Sequence, residues 1–192
     1  YRRAALALLI GNVTISAAWA GPSVHLDLPD DPLAVRVAGV GDGKADDTAA
    51  IEAAIEAASS GANKDGRGGL VFLPSGTYRV SRTIVLPPWV RITGVGPTRP
   101  VLLLGDRTPG FQKGLSAMVV FSGGDQYQSG KVPVPVPNVV PRSREVRDAN
   151  SGTFYTAMSN IDFDLGEGNP GAVGVRMRIA QHGFLRHMEF RT

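Results

Sequence analysis

The 192-residue sequence predicts an all-β solenoid: a right-handed parallel β-helix with one short α-helix capping its N-terminal end. Three observations lead there. Short strand-like runs follow one another, each closed by glycine, proline or a polar turn. One amphipathic helix precedes them, and no second helix follows. Asn160-Ile161-Asp162-Phe163 returns 27 residues later as His187-Met188-Glu189-Phe190, a polar–apolar–acid–Phe pattern at a spacing suited to coils that stack on their neighbours.

The elements are justified in chain order. Arg2 and Arg3 precede the apolar stretch Ala4 to Ala18, and Ala18-Trp19-Ala20 supplies the small-x-small pattern that signal peptidase cuts after. Residues 1–20 therefore read as a signal peptide and the protein as secreted or periplasmic. The apolar stretch is short and interrupted by Gly11, Asn12 and Thr14, so no membrane anchor is expected. Residues 21–36, with their prolines and aspartates, read as an extended arm. Residues 37–192 read as the N-terminal part of the β-helix domain. The chain opens on Tyr1 and stops at Thr192 directly after an alternating run, which reads as an incomplete fragment.

The helix is expected from Thr48 to Ser59. Asp46-Asp47-Thr48 offers capping oxygens, Ile51, Ala54, Ile55 and Ala58 form one narrow apolar stripe, and Gly61 supplies a stop. Such a stripe suits the open first coil of a solenoid, whose interior needs a cover. Strands are expected at 70–73, 78–80, 83–86, 90–93, 101–104 and 118–121, and Gly174 to Ile179 alternates with period two. Residues 122–153 break the rhythm. Val132-Pro133-Val134-Pro135-Val136-Pro137 lacks the amide donors a central strand needs, so a long loop that walls one face is expected.

Composition narrows the chemistry. There is no cysteine, which excludes thiolate metal sites, thiol catalysis and disulfides. The net charge is +3, and removing the signal segment takes away two arginines and no acid, leaving near neutrality. That balance does not suit a nucleic-acid partner, and the basic run Arg142 to Arg147 reads as a solvated loop face. The acids of Gly41–Asp47 could make a metal loop, but turn formation and helix capping explain them better. Neither a metal nor a cofactor is expected.

The segment Gly41-Asp42-Gly43-Lys44-Ala45-Asp46-Asp47-Thr48 running to Ile55, followed by Gly68-Gly69-Leu70-Val71-Phe72-Leu73-Pro74-Ser75-Gly76-Thr77-Tyr78, resembles the N-terminal signature of the pectate-lyase-like β-helix superfamily. The match joins a turn-helix, a glycine-rich stretch and a strand-turn-strand in order over residues 35–96. A narrower likeness covers 150–192. Phe154 to Phe163, Gly168-Asn169-Pro170, Gly174-Val175-Arg176 and Ala180-Gln181-His182 resemble the first β-helix of glycoside hydrolase family 55, inverting β-1,3-glucanases built from two tandem β-helices. That resemblance implies a polysaccharide partner and a general-acid glutamate beyond residue 192. It also implies that Gln181 helps to hold the water.

Parity from Val175, Met177 and Ile179 turns Gln181 inward if the strand continues, and a buried amide ladder is the alternative role. Asp162 and Asp164 share a strand face and suit a carboxylate pair, but ordinary outward solvation explains them too. Arg176 and Arg178 could grip a sugar acid or simply be solvated, and His182 and His187 have no carboxylate partner in sequence. The Asn-Thr-Asp, Asp-Asp and Gly-His-Gly segments that polygalacturonase-like sites carry along later coils are absent there, as is a calcium-holding acid cluster. The expected function is thus an inverting glycoside hydrolase on β-1,3-glucan, inactive as this fragment. A pectin- or uronate-cleaving lyase or hydrolase is one alternative, and a non-catalytic polysaccharide-binding β-helix is the other. Oligomeric state is left open.

Overall fold

The computed structural model describes residues 20–62, 68–121 and 153–192. The expected signal segment up to residue 19 and all but Thr153 of the loop expected at 122–153 lie outside the described residues, as does the basic run at 142–147.

The chain winds as a parallel β-helix with three sheets. The first stacks β1 (Val35–Arg36), β3 (Gly69–Pro74), β6 (Val90–Val95), β9 (Ala157–Ser159) and β12 (Phe184–Arg186) in that order. The second stacks β2 (Asp42–Asp46), β4 (Thr77–Val80), β7 (Val101–Leu104), β10 (Asp162–Asp164) and β13 (Phe190–Arg191). The third holds β5 (Ile84–Leu86), β8 (Ser116–Phe121) and β11 (Ala172–Met177). Every pairing between these strands is parallel. In the first coil α1 (Thr48–Ala62) follows β2 where later coils place a third-sheet strand.

Alternation sends every second side chain into the bore, where like positions stack. Val71, Ile92, Met158 and Leu185 are in register in the first sheet. Tyr78, Leu102, Phe163 and Phe190 are in register in the second. Ile84, Val119 and Val175 are in register in the third. Each fully buried member contributes roughly 1.5–3 kcal/mol relative to exposure. The 27-residue recurrence is real register: Phe163 pairs with Phe190, and their rings stack 4.9 Å apart.

The helix buries Ile51, Ala54, Ile55 and Ala58 in the same core and packs on β1, β3, β4, β5 and β6. It covers the first coil, as its single stripe predicts. It runs through Gly61 to Ala62, so that glycine is not its stop. The acids around its start divide the labour. Asp46 accepts from the Thr48 amide at 3.1 Å, while the buried Asp47 accepts from Val40 N at 2.7 Å and Gly41 N at 3.0 Å. Hydrogen bonds from the Ser81 and then the Thr48 hydroxyl hold the Asp46 carboxyl below the ordinary carboxylate range. The turn-and-cap reading of these acids therefore fits better than a metal loop. Asp42–Asp46, read from the sequence as a turn, also pairs with β4 as an irregular strand. Among the described residues, no helix is long and apolar enough to cross a membrane.

Candidate functional site

The residues opposite the bore-facing column of the first sheet face away from the bore, though Phe72, Ala157 and Ser159 among them are buried. Leu70, Arg91, Ala157 and Phe184 form one row in register, and Phe72, Thr93, Ser159 and Arg186 form the next. The hydroxyls of Thr93 and Ser159 lie 3.2 Å apart. Arg91 is exposed and donates from Nε to the Tyr155 carbonyl at 3.3 Å. The Arg186 guanidinium lies 5.0 Å from the centre of the Phe184 ring.

The corner that leads into each of the last three strands of this sheet is turned by a left-handed residue: Trp89 (φ 69°), Tyr155 (φ 56°) and His182 (φ 58°). Equal backbone conformation at equal positions aims the three side chains the same way. Their rings form a ladder: Trp89 on Tyr155 at 4.6 Å, and Tyr155 on His182 at 4.6 Å with 6° between planes. The backbone continues the stacking, with Trp89 N donating to Phe154 O at 2.8 Å and Tyr155 N to Gln181 O at 3.2 Å. A cleft of about 600 Å³ opens at this corner, lined among others by Leu70, Trp89, Arg91, Tyr155 and Asp31. Asp31 is the only carboxylate lining it among the described residues, and its Oδ1 is engaged by Leu33 N at 2.9 Å.

The rings cover one another, so the ladder leaves aromatic edges and the outer faces of Trp89 and His182 for contact, with one guanidinium fork beside them. Among the described residues the cleft holds no pair of acids for hydrolysis. Among the described residues, no group of three or more His, Cys, Asp or Glu is placed to hold a metal ion.

Gln181 departs from its expected direction. β11 ends at Met177, so strand parity does not carry on, and Gln181 is exposed at the corner, bridged through its backbone to Phe154. It is therefore not part of a buried amide ladder, and it sits next to the His182 end of the aromatic ladder. His182 stacks on Tyr155, and His187 turns the next corner with φ 52°. Arg176 on β11 and Arg178 just beyond it are half-buried on the third-sheet side and are not among the residues lining the cleft.

Asp162 is the clearest correction. Read as a solvated or paired acid on the outer face, it is 1 % exposed. Its Oδ1 accepts from Glu189 N at 2.9 Å and lies 2.8 Å from Arg99 Nε, a close ion pair rather than an aligned hydrogen bond. Its Oδ2 accepts from Gly21 N at 3.0 Å. Arg99 also pairs with Glu189. Burial opposes the charge on Arg99, but the two carboxylates outweigh it and shift its ionisation upward. Asp164 stays half-buried and accepts from Gly166 N at 3.1 Å, so the two aspartates do not act as a pair. What buries Asp162 is the arm: Pro22 bridges Thr98, and Val24 N donates to Asn160 Oδ1 at 3.0 Å.

Sequence reasoning missed Trp89, Arg91 and Arg99. Tyr155 and His182 carry a signal, since they stand 27 residues apart like Asn160 and His187.

The family described as "Rhamnogalacturonase A/epimerase, pectate lyase-like" matches residues 36–192. No curated protein sequence matches the chain. Among solved structures, ORF18 of Geobacillus virus E2 is similar over 82 % of this chain and 25 % of its own, at 22 % identity and a TM-score of 0.47. PfbA, a surface adhesin of Streptococcus pneumoniae, is similar over 82 % of this chain and 33 % of its own, at 18 % identity and a TM-score of 0.47. The chain thus spans a quarter to a third of the length of these two proteins.

Proposed function

Since the chain belongs to the rhamnogalacturonase A/epimerase, pectate lyase-like family, we propose that the outer face of its first sheet binds an extended acidic polysaccharide of the pectin type, as part of an exported carbohydrate-active protein. The observation that carries this reading is the ladder Trp89–Tyr155–His182 with the Arg91 guanidinium beside it at the mouth of one cleft. The stacked rings offer a row of aromatic edges along the coil axis and open faces at its Trp89 and His182 ends, and Arg91 and Arg186 offer charge to uronate carboxylates. In this reading residues 1–20 are the leader, 21–36 the arm and 37–192 the first part of the β-helix domain, in a secreted or periplasmic protein. Inverting hydrolysis needs a general acid and a base about 6.5–9.5 Å apart. Among the described residues Asp31 alone lines the cleft and does not provide that pair, so this reading assigns the catalytic acids to chain outside the described residues.

A second reading keeps β-1,3-glucan as the substrate of an inverting hydrolase. It is favoured by Gln181, which stands exposed at the ladder corner where a water-holding amide would be useful. The two readings separate on one experiment. The full-length gene product is run by affinity electrophoresis through gels containing polygalacturonate or laminarin, beside Trp89→Ala and Arg91→Met. Retardation by polygalacturonate, lost in both variants, is expected. Retardation by laminarin alone, insensitive to Arg91→Met, selects the glucan reading, and retardation by neither rejects both.

A further inference from the structure

The ion cluster under the arm sets one cation against two carboxylates. Among the described residues its cation is Arg99, 7 % exposed, its buried anion is Asp162, 1 % exposed, and its second anion is Glu189, whose side chain is 45 % exposed. A buried carboxylate needs all of its lone pairs met by donors or cations. The remaining donor to Asp162 Oδ2 is the main-chain nitrogen of Gly21, itself buried, at 3.0 Å. Gly21 is also the residue that directly follows Ala18-Trp19-Ala20, the pattern signal peptidase cuts after.

We infer that cleavage of the Ala20–Gly21 bond during export turns this amide into an α-ammonium group, which Asp162 holds through Oδ2 as a second cation and which thereby locks the arm onto the coils. Water adds across the peptide bond. Ala20 departs with the leader as a carboxylate, and the Gly21 nitrogen keeps its place and becomes protonated. The cluster passes from one cation facing two anions to two cations facing two anions. Cleavage takes place on the unfolded, translocating chain, because Gly21 is buried once the arm has docked.

The site is shaped for an N-terminal glycine. A Cβ at position 21 would lie 1.9 Å from Arg99 Nη2 and 2.4 Å from its Cζ. The guanidinium has little room to swing away, since Asp162 and Glu189 hold it. On the other side the Gly21 carbonyl accepts from Arg99 N at 3.0 Å, and His25 O accepts from Gly96 N at 2.8 Å. Residues 21–25 therefore strap the corners that carry Arg99, Asn160 and Asp162.

The inference rests on the export part of the proposed function and not on its polysaccharide. The full-length gene product is expressed with its leader in a secreting host, and the mature N-terminus is read by Edman degradation. The mature protein is then compared with the same chain carrying one extra alanine before Gly21. The two readouts are limited proteolysis within the arm and acylation of the terminal amine under native conditions. A start at Gly21 is expected. So is arm cleavage slower than in the extended chain on the order of tenfold, as one buried charge-assisted hydrogen bond gives, with the difference removed by Asp162→Asn. The Gly21 amine is expected to react slowly until urea releases it, whereas the extended terminus reacts alike in both states. A different mature start, equal arm cleavage, or a Gly21 amine as reactive in the native as in the unfolded protein overturns the inference. None of these readouts involves a sugar, so failure here leaves the first-sheet reading standing, and the converse holds.

Discussion

Replacing Asp162 by asparagine changes one atom and isolates what the buried carboxylate contributes. Oδ1 survives and keeps Glu189 N at 2.9 Å. Oδ2 becomes an amide nitrogen that faces the Gly21 N–H, so a 3.0 Å hydrogen bond turns into a contact between two donors. An unsatisfied buried donor costs about 1–3 kcal/mol. Removing the charge opposite Arg99 adds to this, toward the roughly 3–5 kcal/mol of a broken buried pair. Glu189, whose side chain is 45 % exposed, still neutralises Arg99 and moderates the loss. The expected total is about 3 kcal/mol. Urea titration of the full-length gene product, followed by circular dichroism, reads this as a lower midpoint at unchanged slope. Asp164→Asn on the same strand is the control: it has one bond to Gly166 N at 3.1 Å and should cost below about 1 kcal/mol. If the two variants agree within about 0.5 kcal/mol, the account of the buried pair is wrong.

Other perturbations test other levels. Gly94→Ala places a Cβ 1.9 Å from the Asn160 carbonyl oxygen and 2.6 Å from Pro100 Cδ, backbone and ring atoms with nowhere to go. It should cost about 3 kcal/mol or more, read as loss of soluble yield or a sharply lower midpoint in urea. Ile55→Ala hollows the helix–coil contact at a 5 % exposed site, and a loss of about 3 kcal/mol is expected in the same titration. The depressed ionisation of Asp46 has a definite sign. Its contribution is present above the ordinary aspartate value of about 3.9 and is lost as pH falls through the lower folded value. Acid titration of helicity should therefore be shallower below pH about 4 in Asp46→Asn than in the parent. Tyr155→Ala removes the middle ring of the ladder, so polysaccharide retardation should fall more than for His182→Ala at its end.

The sequence was most informative where spacing is local. In Asn-Ile-Asp-Phe and His-Met-Glu-Phe each letter has a physical role: a left-handed corner, a bore-facing apolar residue, an acid for Arg99, and a stacked ring. The helix stripe and its acids were equally legible, because capping depends on residues a few places apart. Burial of Asp162 was not legible, since its partner Gly21 is 141 residues away and Arg99 comes from the preceding coil. Gln181 was misdirected by parity, which holds only while a strand continues, and β11 had ended at Met177. The ladder was hidden because Trp89 and Tyr155 are separated by the long stretch after β8, although the structure treats them as neighbours.

That separation has a consequence of its own. Val71 to Ile92 is one coil in 21 residues, whereas Ile92 to Met158 is one coil in 66, yet all three sit in one register of the same sheet. The register is kept although 31 residues stand between Phe121 and Thr153, and closure entropy grows only with the logarithm of loop length. The corner beside the cleft thus joins coils of very unequal contour length at one common register.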